Sequence, residues 1–307
     1  MTPTAPSTLL PESEWRARLD AHRERVEPEA IAFQKRRARG ETHPVWDFLF
    51  VYYGTNRRTL TDWRPPVGAV LGGDASCVFG ETFPKRETPE GLMLDIGLLD
   101  AGDLRRLRFV DSLLAAAQQR RAFFKCFGLH EWAMVYRASQ PRHAVPLRMS
   151  ADELAAFVES QTICCGHFDA YRFFTAAAHP LNTLRPGKDD RHAFEQFGCL
   201  HVTMDLYKWC YKLCPWVSSE LTAEAFFLAK TARELDMRAS PYDLRAYGFE
   251  PVKIETAEGR GDYARRQAAL SEQARALAEG LRAEIALLLK LVPKSDTNPR
   301  TGQCGEI

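Results

Sequence analysis

The stretch from Gly259 to about Val292 limits what this chain can fold into more than any other. Tyr263, Leu270, Ala274, Leu277, Leu281, Ile285 and Leu288 recur there at three-, four- and seven-residue steps, with Arg and Glu between them. On a helix of 3.6 residues per turn those positions form one apolar stripe. A long helix with a single such stripe has to be covered by other elements, so the rest of the chain must supply that cover. The chain has 307 residues, 45% of them hydrophobic and 26% charged, enough for a core without disulfides or a structural metal.

The upstream pattern supplies mostly helix. Pro11 to about Gly40 reads as a charged helix, with Ser13 as a candidate cap and Trp15, Leu19, Val26 and Ile31 as its apolar anchors. After His43-Pro44, the stretch WDFLFVYYGTNRRTLTDW is too crowded with apolar residues for a one-sided surface helix and is expected to be buried on most sides. Residues 65–100 alternate short apolar runs with Gly and Pro, which predicts loops with two or three short strands. From Asp103 the helical period returns and runs to about Arg137, with a break possible at Gly128. Ser150 with Glu153 forms a capping-box pattern opening a helix through Val158. ICCGHFDAYRFFTAAA is compatible with helix, HAFEQFGCLHVTMDLYKWCYKLCPW reads as one long buried helix, and Ser218 or Ser219 starts the next; SPYDLRAYGFEPVKIET reads as a loop with one short strand. The expected fold is mainly α, a bundle-like single domain with a minor β element. Its divisions are a charged helix at 1–40, a main domain at 41–293 carrying the Gly/Pro-rich insertion, and a flexible tail at 294–307.

Charge excludes one class of behaviour. Lys plus Arg number 41 and Asp plus Glu 40, a formal net charge of +1, so no global basic field drives non-specific nucleic-acid binding. The N-terminus turns charged before an apolar signal-peptide core can form. The longest apolar candidate, IALLLKLV, is short and contains Lys290, so no membrane span is expected. Eight cysteines at irregular spacing, without a CxxC pair, read as reduced thiols of a cytoplasmic protein, with Cys304 in the tail. GxGxxG, P-loop and GxSxG patterns are absent.

Three histidines sit in short segments dense in aromatics and acids: His130 in GLHEWAMVYR, His167 in CGHFDAYRFFT and His201 in GCLHVTMDLYKW, with Glu131, Asp169 and Asp205 nearby. If the last segment is helical, His201, Asp205 and Lys208 share one face. Ionisable groups amid Leu200, Val202, Leu206 and Trp209 are costly unless they pair or bind something. One reading is a metal centre in which His130, His167 and His201 with one to three of those acids enclose iron, manganese or zinc inside a helical bundle. The bland alternative is core histidines hydrogen-bonded to carboxylates or carbonyls. RELDMRASPYDLR gathers Arg233, Glu234, Asp236, Arg238, Asp243 and Arg245, either a phosphate-binding group or, preferred, an intramolecular network locking a loop to the core. Glu234 and Arg238 are spaced for an ion pair.

A second functional reading is nucleobase recognition. Trp132, Tyr171 and Trp209 could stack a flipped base, with Lys208, Arg172 and His201 reading its edge or a phosphate. An alkylated purine leaves as a neutral base, so a carboxylate such as Asp205, Asp169 or Glu131 beside the sugar would suffice without a cofactor.

The segments HPVWDFLFVYYG, FGLHEWAMVYR, CGHFDAYRFFTAAAHPLN, GCLHVTMDLYKWCYKL, ELDMRASPYDL and PVKIETAEGR resemble a family of bacterial proteins commonly labelled 3-methyladenine DNA glycosylase, from about His43 to the final helix. The resemblance implies a hydrolase of base-excision repair that releases alkylated purines from DNA. The alternatives are the metal-dependent helical enzyme and a non-catalytic helical binding protein.

Overall fold

The computed structural model describes residues 8–80, 83–141 and 143–292. Cys304 and the whole of the tail at 294–307 lie outside the described residues.

Among the described residues the chain is mainly α with one small sheet. In order it forms β1 (Thr8–Leu10), α1 (Glu12–Ala38), α2 (Phe48–Val51), α3 (Arg57–Thr61), β2 (Ala69–Leu71), β3 (Lys85–Thr88), β4 (Gly91–Leu94), α4 (Ala101–Gln119), α5 (Leu129–Ala133), α6 (Ala151–Glu159), α7 (Phe168–Tyr171), α8 (Arg191–Phe194), α9 (Leu200–Lys212), α10 (Ser219–Ala239) and α11 (Ala257–Leu291). The sheet order is β1-β2-β4-β3; β1 runs parallel to β2, and the other pairs are antiparallel.

The centre is α9, buried at every position from Leu200 to Cys210. A helix apolar or paired on all sides belongs inside a bundle. α10 packs along it, and α11 packs on both, presenting the stripe read from sequence. Local chemistry sets the ends. Asp100 with Asp103 and Ser150 with Glu153 close capping boxes on α4 and α6, and Ser218 and Thr256 cap α10 and α11; each satisfies amides that a helix start leaves bare. Gly259 is required by close approach, because a side chain there would drive into the Lys253 carbonyl.

A second, smaller core joins the two ends of the N-terminal third. Leu10, Trp15 and Leu19 pack with Trp63, Leu71 and Phe79, so the start of α1 and the Gly/Pro-rich segment form one layer.

Several helix expectations give way. Ser13 caps nothing; α1 starts after Pro11 with no side-chain cap. Val51, in the stretch expected to be buried, is exposed. The pattern from Asp103 stops at Gln119, because the Phe123 backbone is hydrogen-bonded to the side chain of Gln196 instead of to its own turn. ICCGHFDAYRFFTAAA is helical only over α7, and the expected long helix ending near Pro215 is split into α8 and α9 by the turn at 195–199. SPYDLRAYGFEPVKIET forms no named strand; Tyr242 makes an isolated bridge with Leu147. The seven described cysteines are free thiols. No described helix is long and apolar enough to cross a membrane.

Candidate functional site

His201 opens α9, Asp205 follows one turn later and Lys208 after that, as the helical spacing requires. α5 brings His130 against this face, and the turn into α7 brings His167. The ring centroids lie 4.4 Å apart for His130 and His201 and 5.1 Å for His167 and His201. The three histidine segments therefore converge, and all three imidazoles are buried.

The partners are not the acids adjacent in sequence. His130 Nε2 lies 2.6 Å from Asp236 Oδ1 on α10, while its Nδ1 faces Cys126 Sγ at 3.5 Å. Glu131 instead accepts from Arg233 Nη1 at 2.8 Å, and Arg233 also donates to Asp236 at 3.1 Å. His167 Nε2 lies 3.3 Å from Asp205 Oδ2 and 3.8 Å from Glu195 Oε1, without the alignment of a hydrogen bond to either. Asp169 accepts from Arg191 at 2.7 Å and from Lys208 at 3.3 Å. Lys208 also donates to Asp205, whose other oxygen accepts from Tyr53 at 3.1 Å.

Burial works against every charge here, and the neighbours outweigh it in some cases and not in others. Burial would raise the Asp205 carboxyl, but Lys208 and His167 hold it well below the usual carboxylate range. For Glu131, burial is likewise outweighed by Arg233, His130 and His143, leaving it at about 2. Glu195 goes the other way, raised mainly by its burial. Burial lowers His130, yet Asp236 brings it well above an ordinary histidine. His201 is pushed well below, by burial first and then by His130 and His167. A neutral imidazole thus stands between two others.

Two geometries differ in what they can hold. Bonds of about 2.0–2.2 Å place two ligands of one tetrahedral cation about 3.3–3.6 Å apart. The contacts of His167 with Asp205 and Glu195 fall close to that edge length, and both ring nitrogens of His167 lack a hydrogen-bond partner. His130 and Asp236 are too close for two ligands of one ion and form a hydrogen-bonded pair. His130, His201 and Asp236 nonetheless place three candidate donors within 4.8 Å of one another, as do His167, Glu195 and Asp205.

A cavity of about 20 Å³ adjoins this centre, lined among others by Glu131, Asp169, His201 and Arg233; that is room for about one water. His201 Nδ1 and Arg233 Nε are buried without a partner. Of the expected base-stacking residues, Trp132 is fully buried and donates to Ala239 O at 2.9 Å, Trp209 packs edge-on to Phe109, and Tyr171 packs edge-on to His179; none lines the cavity. Arg172 is exposed and reaches the Tyr52 hydroxyl at 3.3 Å.

Sequence reasoning missed Glu195, Arg191, Tyr53 and the roles of Arg233 and Asp236. The signals were there in part: Arg191 and Glu195 are four apart, Arg233 and Asp236 three apart. RELDMRASPYDLR divides accordingly. Arg238–Glu234 and Arg245–Asp243 are local ion pairs, whereas Arg233 and Asp236 enter the centre. No family model, no curated protein and no solved structure matches this chain.

Proposed function

We propose that this chain is a metal-dependent enzyme whose cation is held by His167, Glu195 and Asp205, with iron, manganese or zinc as the ions suited to one imidazole and two carboxylates. The observation that carries this reading is His167: a buried imidazole with both nitrogens unpartnered, at ligand-edge distance from two carboxylates. Charge supports it. Glu131, Asp169, Glu195, Asp205 and Asp236 are five carboxylates against four permanent cations, the buried or partly buried Arg191, Lys208 and Arg233 and the exposed Arg172, which lies 3.6 Å from Asp169. The carboxylates outnumber the permanent cations, and uncompensated buried charge is strongly destabilising, so a bound cation would find net negative charge here. The competing compensation is a proton on His130 or on Glu195, both of which are raised above their ordinary values.

A bound ion with a position left open would polarise a substrate oxygen or lower the pKa of a water. The protein's own groups would do the rest. His201, held neutral, would offer its unpartnered Nδ1 for a hydrogen bond beside the cavity it lines. The His130–Asp236 pair fixes the ring packed against it, and Arg191 and Lys208 orient the ligating carboxylates.

The experiment is elemental analysis after expression in medium supplemented with iron, manganese and zinc. About one equivalent of one metal is expected, absent from His167→Ala and Asp205→Asn proteins that retain wild-type circular dichroism. Metal-free wild type would end the reading.

Base excision, implied by the resemblance, remains the second reading because Asp169 lines the cavity. It requires the site to open enough for a base, and it predicts free 3-methyladenine from methylated duplex DNA. No release at stoichiometric protein removes it.

A further inference from the structure

Beside the small cavity lies a wider pocket of about 380 Å³, and the two share Phe48, Tyr52 and His143 as walls. Pro44, Val51, Val145 and Tyr247 complete its apolar lining. This volume lies in the range that takes a small organic ligand. Phe48 stacks on Tyr52 with ring centroids 4.8 Å apart and packs against the Arg233 guanidinium at 4.2 Å. It therefore stands between the wide pocket and the buried cluster.

The charges around the wide pocket are already taken. Asp47 is bound by Arg36 through two contacts of 2.9 and 2.5 Å. His43 Nδ1 accepts from the Val45 and Trp46 amides. On the inner side, Arg233 lines the small cavity; its Nη1 is held by Glu131 and Asp236, and its Nε is buried and unpartnered. A buried donor without an acceptor is unfavourable, and an oxygen acceptor on a ligand would satisfy it. An anionic ligand is opposed, because the cluster already carries more carboxylates than permanent cations.

We infer that the wide pocket is the entry chamber for a small, neutral aromatic molecule bearing one oxygen acceptor, such as an alcohol, aldehyde or amide, directed inward past Phe48 toward Arg233. The ring stacks on Phe48, Tyr52 or Tyr247, for which aromatic faces are suited. That the occupant is the substrate rests on the metal-enzyme reading; that the chamber binds it does not.

The test is titration of metal-loaded and chelator-treated protein with benzyl alcohol, followed by ligand-observed NMR, with benzoate and toluene as controls. Saturable one-to-one binding of benzyl alcohol is expected in both preparations, in the roughly millimolar range for so small a ligand. Benzoate and toluene should each bind at least tenfold more weakly. Ala144→Trp and, separately, Val51→Trp fill the chamber from exposed positions; each should weaken binding at least tenfold with metal content and melting temperature unchanged. Non-saturating benzyl alcohol, benzoate binding as tightly, or indifference to both Trp variants overturns the inference. Wild-type protein that takes up no metal yet binds benzyl alcohol refutes the metal reading and upholds the chamber; protein that loads metal but binds no benzyl alcohol does the reverse.

Discussion

Two buried knots of polar side chains in this molecule look alike in composition and differ in how completely they are satisfied. In the seam between α1, α3 and α10, Arg64 is 2% exposed and donates to the carbonyls of Thr59, Asp62 and Val217 and to the Thr222 hydroxyl. His22 beside it contacts the Leu60 carbonyl at 2.9 Å, and Trp63 donates to Glu220. In the centre around α9, Arg233 is as buried but leaves Nε bare, and His167 and His201 leave ring nitrogens bare. The first knot meets mostly backbone carbonyls, its histidine and arginine are satisfied, and it leaves one carboxylate oxygen bare, Glu220 Oε2. The second concentrates carboxylates and vacant donor atoms around a cavity. Burial of a histidine or arginine therefore says little about function; unmet valence beside like charges says more.

The contrast can be broken in order of expected size. If His167, Glu195 and Asp205 hold the proposed cation, stripping it with a chelator should lower stability by about 4 kcal/mol when free metal had been near a thousandfold over its dissociation constant. That loss should persist in His22→Gln and vanish in His167→Ala; equal sensitivity of both variants would erase the distinction between the knots. Next, Arg64→Met leaves several carbonyls without a donor and should cost about 3 kcal/mol in urea unfolding, with metal content untouched. Metal loss in that variant would mean that the seam and the centre are one unit.

A smaller effect concerns pH. Burial, with Arg64 and neighbouring arginines and against the Leu60 bond, takes His22 down to about 4. The unfolded chain binds this proton below about pH 6.5. The contribution is then complete above pH 6.5 and is lost as the pH falls toward 4, about 2 kcal/mol after allowance for partial solvent screening. Thermal scans across that range should fall more steeply for wild type than for His22→Gln, and parallel curves would refute the assignment. Smallest of all, Glu14→Gln breaks the exposed Arg18–Glu14 pair and should leave the melting temperature within about 1 °C.

What could be read in the sequence was what a single helix determines. The α11 stripe, the Ser150–Glu153 cap and the shared face of His201, Asp205 and Lys208 all follow from periodicity. Pairings across elements do not. Asp236 reaching His130 and Glu195 reaching His167 depend on how α10 and α8 pack, and no local spacing encodes that. The same limit explains the helices expected past Gln119 and before α9. Gln196 takes over the Phe123 backbone bonds, and its Oε1 also accepts from the Gly198 amide, so a tertiary contact overrides propensity in both segments at once.

Because α9 has no face left for solvent from Leu200 to Cys210, it has nowhere to rest until its neighbours have closed around it. His201, Asp205 and Lys208 ride on that helix, so their assembly coincides with completion of the whole bundle. A half-formed chain would carry the right residues and no centre. Ion capture by this protein would accordingly act as a certificate of finished folding, legible in a crude lysate without an activity assay.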